Sequence, residues 1–450
     1  MASNHPKPSD PPAPPRQGPR PLPLHLAAAT LAWTSSLAAL PLLKSGSIAW
    51  RGELKAAAQN LAGDLAAVRP EAFAAAVAAE AERRLANFLD GLNAYRRHGY
   101  RRALPGVPVV WREGTTKLLD YTKGGKGPAV LVIPSLINRA YILDLVAERS
   151  FMRFLAAQGF RPFLVEWEAP GEVERTYSLE DYIAGRLSRA LDAVAGATGT
   201  KPIALGYCMG GLLALGLAQH RRPDLAGLAL LATPWDFHAE RADQAMLIGA
   251  LAPQFEPLLQ LLGELPVDAI QALFAALDPS LALRKFLGFA ALDPNSDRAR
   301  QFVALEDWLN DGVALAAPVA REALAAWYGE NATARGQWRI AGRAVRPEKL
   351  DLPAIAVIPD QDRIVPPASA LALARAIPNC QILRPATGHI GMMAGARAES
   401  EVWQPLALWL RERGVSCTAA KRPVLSRKRL PKKPMSGKPL SGNKANRRKP

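Results

Sequence analysis

Apolar residues in this chain come in short unbroken runs separated by stretches of helical periodicity. Ala129-Val130-Leu131-Val132-Ile133 is one such run, and it stops at Pro134. Arg161–Val165, Ile203–Leu205, Leu228–Leu231 and Ala354–Ile358 are others. Between them lie Ser150–Gln158 and Leu179–Ala195, which carry helical patterns. A strand that is apolar at every position has both faces buried, and strands that alternate with helices pair in parallel. The pattern predicts an α/β fold: a mostly parallel sheet with helices on both faces.

The alternation fails between Pro234 and Pro353. Leu247–Leu287 is rich in Leu and Ala and reads as helical, and 302–309 and 322–328 continue the trend. This predicts a helical cap of about 236–345, inserted into a main domain of 106–415. Upstream, 24–105 reads as a helical region, and Glu53–Asn93 looks helical, with Ala-rich turns and scattered charges. Leu24–Leu43 is rich in Ala and Leu but interrupted by His25, Thr30, Thr34, Ser35, Ser36 and Pro41. Those residues favour a docking helix over a membrane span or an export signal. Residues 1–23 hold nine prolines, the composition of a disordered or polyproline segment.

Charge refines this division. The net charge is +16, but residues 421–450 carry 12 Lys and Arg and no Asp or Glu. The other 420 residues hold 44 basic and 40 acidic side chains, a net of +4. The body is only mildly basic, and 416–450 reads as a disordered basic tail suited to anions or nucleic acid. The three cysteines, Cys208, Cys380 and Cys417, form neither a disulfide framework nor a metal-ligand pattern. A free reactive thiol suits a reducing, cytoplasmic compartment.

One of those cysteines stands in an informative setting. Gly206-Tyr207-Cys208-Met209-Gly210-Gly211 follows an apolar strand and opens an apolar helix. Strand, sharp turn and helix make a nucleophile elbow, here with Cys where Ser is usual. Chance supplies only about 0.02 copies of such a Gly-x-Cys-x-Gly in this composition. The flanking glycines predict a strained turn and close packing of helix on strand. A thiol there meets the positive end of a helix dipole.

A Cys nucleophile needs a base, and the base needs an orienting acid. Of six histidines, His5, His25 and His98 precede the sheet, and His220 ends the elbow helix. His238 lies just past a strand end, where it could line a pocket. His389 sits in Thr387-Gly388-His389-Ile390-Gly391, on a loop after the short strand Gln381–Leu383. A Gly-flanked His late in the chain suits the base. Asp360 and Asp362 both follow the Ala354–Ile358 strand and compete for the acid. The order nucleophile, acid, His is that of one family of triads. An oxyanion hole would take the N–H of Met209 and a second from the loop after Ile133, from Leu136 or Ile137.

Further stretches accompany the elbow: Leu136–Leu145, Val165-Glu166-Trp167, Ser178–Ile183, Asp362-Arg363-Ile364-Val365-Pro366 and Gly388–Met392. Together, from about Trp111 to Gly414, they resemble the polyhydroxyalkanoate synthases, polyester polymerases of the α/β-hydrolase superfamily. The Phe302–Trp308 and Gly388–Met392 stretches look most like the shorter synthases that work with a second subunit. The resemblance implies an α/β-hydrolase fold and selects Asp362 over Asp360. It implies an acyltransferase with a Cys208, Asp362, His389 triad that polymerises 3-hydroxyacyl-CoA through an acyl-Cys intermediate. Its partners would be the CoA thioester, the growing polyester and a second copy or second subunit. No cofactor or metal is implied, and the implied location is the cytoplasm or a polyester granule surface. Two positions depart from the family: Arg363 stands where His is usual, and Ala140 where a bulkier residue is usual. A thioesterase or depolymerase would use the same triad with water as acceptor. A non-catalytic subunit, bound by its tail to granules or nucleic acid, is the reading from another class.

Overall fold

Five of the eight strands in the central sheet are the apolar runs of the sequence. In this computed structural model, which describes residues 15–414, the sheet is built from β1 (Val109–Glu113), β2 (Thr116–Asp120), β3 (Ala129–Ile133), β4 (Arg161–Glu166), β5 (Ile203–Tyr207), β6 (Gly227–Leu231), β7 (Ala354–Val357) and β8 (Gln381–Leu383). Their order is β1-β2-β4-β3-β5-β6-β7-β8. β2 runs antiparallel to both neighbours, and the remaining pairs are parallel. At the centre, Leu205 lies opposite Val132 on one side and Ala229 on the other.

The continuous apolar runs follow from burial on both faces. Leu131 and Ile133 point into one core, with Ile183, Leu187 and Leu191 and the helix after the elbow. Val130 and Val132 point into the other, with Phe151, Met152 and Leu155 and the C-terminal helix Gln404–Gly414. Each fully buried Leu or Val contributes about 1.5–3 kcal/mol of hydrophobic stabilisation. The β1–β2 hairpin escaped the sequence reading because only one of its faces is consistently buried.

Helices α1 (Leu22–Ser45), α2 (Lys55–Ala66) and α3 (Pro70–Arg97) precede the sheet. The stretch Glu53–Asn93 is helical as expected, and it divides into α2 and α3 where Pro70, with no N–H to continue a helix, starts a new one. By length and composition α1 is apolar enough to cross a membrane, and only 11% of its most apolar window is buried. α4 (Phe151–Ala157), α5 (Ser188–Thr198) and α6 (Met209–His220) flank the strands. Between β6 and β7 the chain forms α7 (Ala242–Ala250), α8 (Ala252–Leu262), α9 (Val267–Leu277), α10 (Leu281–Ala290) and α11 (Asp297–Asn310). A helical turn over Glu322–Gly329 follows.

The disordered segment expected over 1–23 needs correction where it is described. Arg16 is buried against Asp307, and Leu22 already belongs to α1. Composition could not reveal one arginine with a specific carboxylate to meet. Residues 1–14 and the basic tail of 416–450 lie outside the described residues.

Close packing around the elbow generates a stability test. A Cβ on Gly210 would sit 2.1 Å from the Ile133 carbonyl oxygen, and one on Gly211 1.8 Å from Thr233 Oγ1. Gly210→Ala forces backbone to move in an overpacked layer and is expected to cost about 1–3 kcal/mol. The readout is a lower urea midpoint with an unchanged slope; a wild-type midpoint refutes the packing argument.

Candidate active site

Three loops at the C-terminal ends of parallel strands carry the chemistry. Cys208 follows β5 directly, Asp362 follows β7, and His389 follows β8. Cys208 has φ 57° and ψ −129°, a conformation that side chains resist at a cost of about 1–3 kcal/mol. The strain sits on the cysteine. The glycines expected to absorb it instead relieve crowding: a Cβ on Gly206 would lie 2.4 Å from both the Gly210 carbonyl oxygen and Gly211 Cα. The turn is pinned by Cys208 N–H donating to the Leu231 carbonyl at 2.8 Å and by Gly211 N–H donating to the Cys208 carbonyl at 2.9 Å.

His389 Nδ1 lies 2.7 Å from Asp362 Oδ2 in a buried contact. The other carboxylate oxygen, Oδ1, accepts the N–H groups of Ile364 (2.8 Å) and Val365 (2.9 Å). Both oxygens are thus held, and the carboxylate cannot turn away from the ring. Asp360 is excluded from this role: its carboxylate is exposed and pairs with Arg384 at 2.6 Å. Tyr207, inside the elbow motif, donates its hydroxyl to the His389 carbonyl at 3.1 Å and ties nucleophile loop to base loop. Nothing in the chain's pattern marks Tyr207 beyond its place beside Cys208.

Burial opposes a charged His389 ring. Negative charge on Cys208 and Asp362, with the hydrogen bond to Asp362, outweighs burial and pushes the imidazole up to about 10. The site therefore favours the imidazolium form of His389.

The remaining candidates separate cleanly. Met209 is the first residue of α6, so its N–H has no intrahelical acceptor. Ile137 lines the space beside Cys208, and its N–H reaches the Ser135 hydroxyl in a long 3.2 Å bond. The Leu136 side chain packs into the core. His238 is engaged elsewhere, with Nε2 2.8 Å from the Tyr328 carbonyl. Arg363, the departure next to the acid, is 75% exposed and reaches Asp278 on the cap at 3.4 Å. An exposed pair of this kind contributes little stability.

Two cavities meet at Cys208. The larger, about 450 Å³, also contains His389, Ile137 and Trp308. The smaller, about 110 Å³, is walled by Met209, Phe237, Ile248, Phe274 and Trp327. Sequence reasoning anticipated a cap over the site. It did not anticipate that Pro19, Arg20 and His25, far upstream, would line the larger cavity.

A family model for the alpha/beta hydrolase fold matches residues 128–396, and the chain belongs to that family. The chain is also similar to poly(3-hydroxyalkanoate) polymerase subunits. It is 27% identical over 322 residues to a poly(3-hydroxyalkanoate) polymerase subunit of Haloferax mediterranei, covering 69% of this chain and 64% of that one. The subunit from a Synechocystis species is 29% identical over 293 residues, 63% of this chain and 78% of that one. The Allochromatium vinosum subunit is 27% identical over 314 residues, 68% of this chain and 88% of that one.

The ring's raised affinity for a proton has a consequence for stability. A folded-state value near 10 against an ordinary 6.5 means the charged ring stabilises the fold fully below pH 6.5. That contribution is lost as pH rises through about 10. The stability gap between wild type and His389→Gln should therefore shrink from pH 7 to pH 10.5. A gap independent of pH would sink the assignment of a charged ring.

Proposed function

We propose that this chain is an acyltransferase subunit that polymerises 3-hydroxyacyl-CoA into poly(3-hydroxyalkanoate). The observation that carries the reading is a strained elbow cysteine beside a histidine fixed by a buried carboxylate, in a chain related to named polymerase subunits. Cys208, His389 and Asp362 are the proposed triad.

The chemistry follows from the residue types. Cys208 reacts as the thiolate, with its proton held on His389, and attacks the thioester carbonyl. Met209 N–H and Ile137 N–H would stabilise the oxyanion; a developing charge competes well for Ile137 against the long bond to Ser135. The tetrahedral intermediate expels the CoA thiolate, which takes the proton back from His389. The acyl group now rests on Cys208 as a thioester, still activated for transfer. His389 then removes the proton from the hydroxyl of the growing chain or a second unit. The alkoxide attacks the acyl-Cys, an ester forms, and the Cys208 thiolate leaves. Asp362 holds the ring's tautomer and steadies its cation throughout. The apolar cap restricts water, the acceptor that would divert the intermediate to free acid.

Relatives named as subunits support work in an assembly with a second subunit; the cytoplasm or a polyester surface is the proposed location. No cofactor is required by this chemistry.

The deciding assay is the purified protein with 3-hydroxybutyryl-CoA. CoA release with insoluble polyester is the expected result; CoA release with free hydroxy acid and no polymer assigns a hydrolase instead. Cys208→Ala abolishes turnover. Asp362→Asn lowers kcat by about 10³–10⁴-fold, as loss of the orienting acid does in related triads. Asp360→Asn stays close to wild type, and an equal loss in the two Asp variants would overturn the triad.

A further inference from the structure

The segment before α1 is held with unusual care for a proline-rich stretch. The Arg16 side chain is only 7% exposed. Its guanidinium grips both Asp307 oxygens, at 2.5 and 2.8 Å, and donates to the carbonyls of His98 and Tyr100. Tyr95 completes the nest by donating its hydroxyl to Asp307 at 2.9 Å. Next along the chain, Arg96 donates to the Gln17 carbonyl at 2.9 Å. Gly18, at φ 117°, lies where a Cβ would strike Leu92 at 2.4 Å. Leu22 and Leu26 then pack on the cluster of Phe88, Leu92 and Phe286. A buried, multiply bonded arginine is costly to displace, so this anchor is firm.

Between that anchor and α1 the chain crosses the larger cavity. Pro19, Arg20 and His25 line it, together with Cys208 and His389. Asp307, which holds Arg16, is flanked on α11 by the cavity residues Glu306 and Trp308. The anchor and the cavity wall are therefore one piece of structure. Arg20 and Lys285 bring cationic groups to this cavity, bound respectively to Asp268 and Glu306. The smaller cavity on the other side of Cys208 has mostly apolar walls. A cavity of roughly 150 Å³ takes benzene, so the 110 Å³ of the smaller one suits a short acyl group. Among the described residues, a thioester whose carbonyl sits at Cys208 and whose acyl group fills the smaller cavity has the larger one for its carrier arm.

We infer that residues 16–25 form a strap that completes the binding cavity for the carrier arm of the thioester, with Arg16 as the residue that positions it. The inference rests on the polymerase reading for the identity of the substrate. The strap excludes solvent from the arm and presents Arg20 to its anionic end. Opening it weakens binding of the carrier without touching the reacting atoms.

The test is Arg16→Ala in the full chain, with 3-hydroxybutyryl-CoA compared against the N-acetylcysteamine thioester of the same acid. KM for the CoA thioester is expected to rise about fivefold while kcat stays within about twofold, the signature of lost uniform binding. KM for the truncated thioester should barely move. Iodoacetamide labelling of Cys208, followed by peptide mass mapping, should quicken about threefold as the cavity opens. Arg16→Lys, which keeps the charge, should recover part of each effect. Equal KM changes for both thioesters, or wild-type labelling and KM, overturn the strap. Faster labelling in a protein that turns over neither thioester upholds the strap and overturns the polymerase reading. Should Arg16→Ala fail to fold, Arg20→Ala replaces it, because its exposed pair with Asp268 adds little stability. That variant must show the same CoA-selective rise in KM, and parity between the two thioesters refutes the inference.

Discussion

At Cys208 the chain passes from β5 into α6 within one residue, in a left-handed conformation that a side chain adopts only against steric resistance. The surrounding structure imposes that turn. Cys208 N–H is fixed to Leu231 at the end of β6, so the neighbouring strand dictates where the cysteine backbone lies. Gly206, Gly210 and Gly211 let α6 press against β5, β3 and Thr233 at distances that exclude any Cβ. The sheet register, the helix position and the thiol's direction are thus one constraint. Relaxing the turn would require the helix to rise off the sheet and expose the apolar residues that both bury.

The electrostatics depend on the same burial. A histidine enclosed by protein loses hydration, which disfavours its charge. Here the loss is offset because Cys208 and Asp362 converge on the ring and both prefer it protonated. Asp362 can do this because the Ile364 and Val365 N–H groups hold its other oxygen. The elbow lies more than 150 residues before the acid and base loops, and the Tyr207 hydroxyl joins it to the base loop. An oriented acid, a charged base and a strained nucleophile require a rigid platform, and a sheet buried on both faces provides it.

The sheet was legible because parallel strands under helices are apolar at every position, as in Ala129–Ile133 and Leu228–Leu231. The β1–β2 hairpin was not, since its burial is one-sided and its residues mix charge with apolar groups. Cys208 and His389 were legible because their glycine contexts are rare and their order is informative. The choice between Asp360 and Asp362 was not open to spacing alone. Both follow one strand, and only the fold turns one toward His389 and leaves the other with Arg384. Leu136 and Ile137, adjacent in the chain, send their side chains to core and cavity respectively, which spacing alone does not reveal.

The N-terminal segment marks the limit most clearly. Its prolines describe a chain that cannot form a core by itself, and by composition that judgement is sound. Its order comes from Arg16 meeting Asp307, residues separated by 291 positions. By itself the sequence determined the local terms: strand and helix periodicity, the glycines an elbow needs, and the reactive groups available. Tertiary structure alone decided which of those groups converge, how the buried histidine is charged, and which distant segments wall the cavity. Those outcomes depend on distance and desolvation between residues far apart in the chain, and neither quantity exists until the chain has folded.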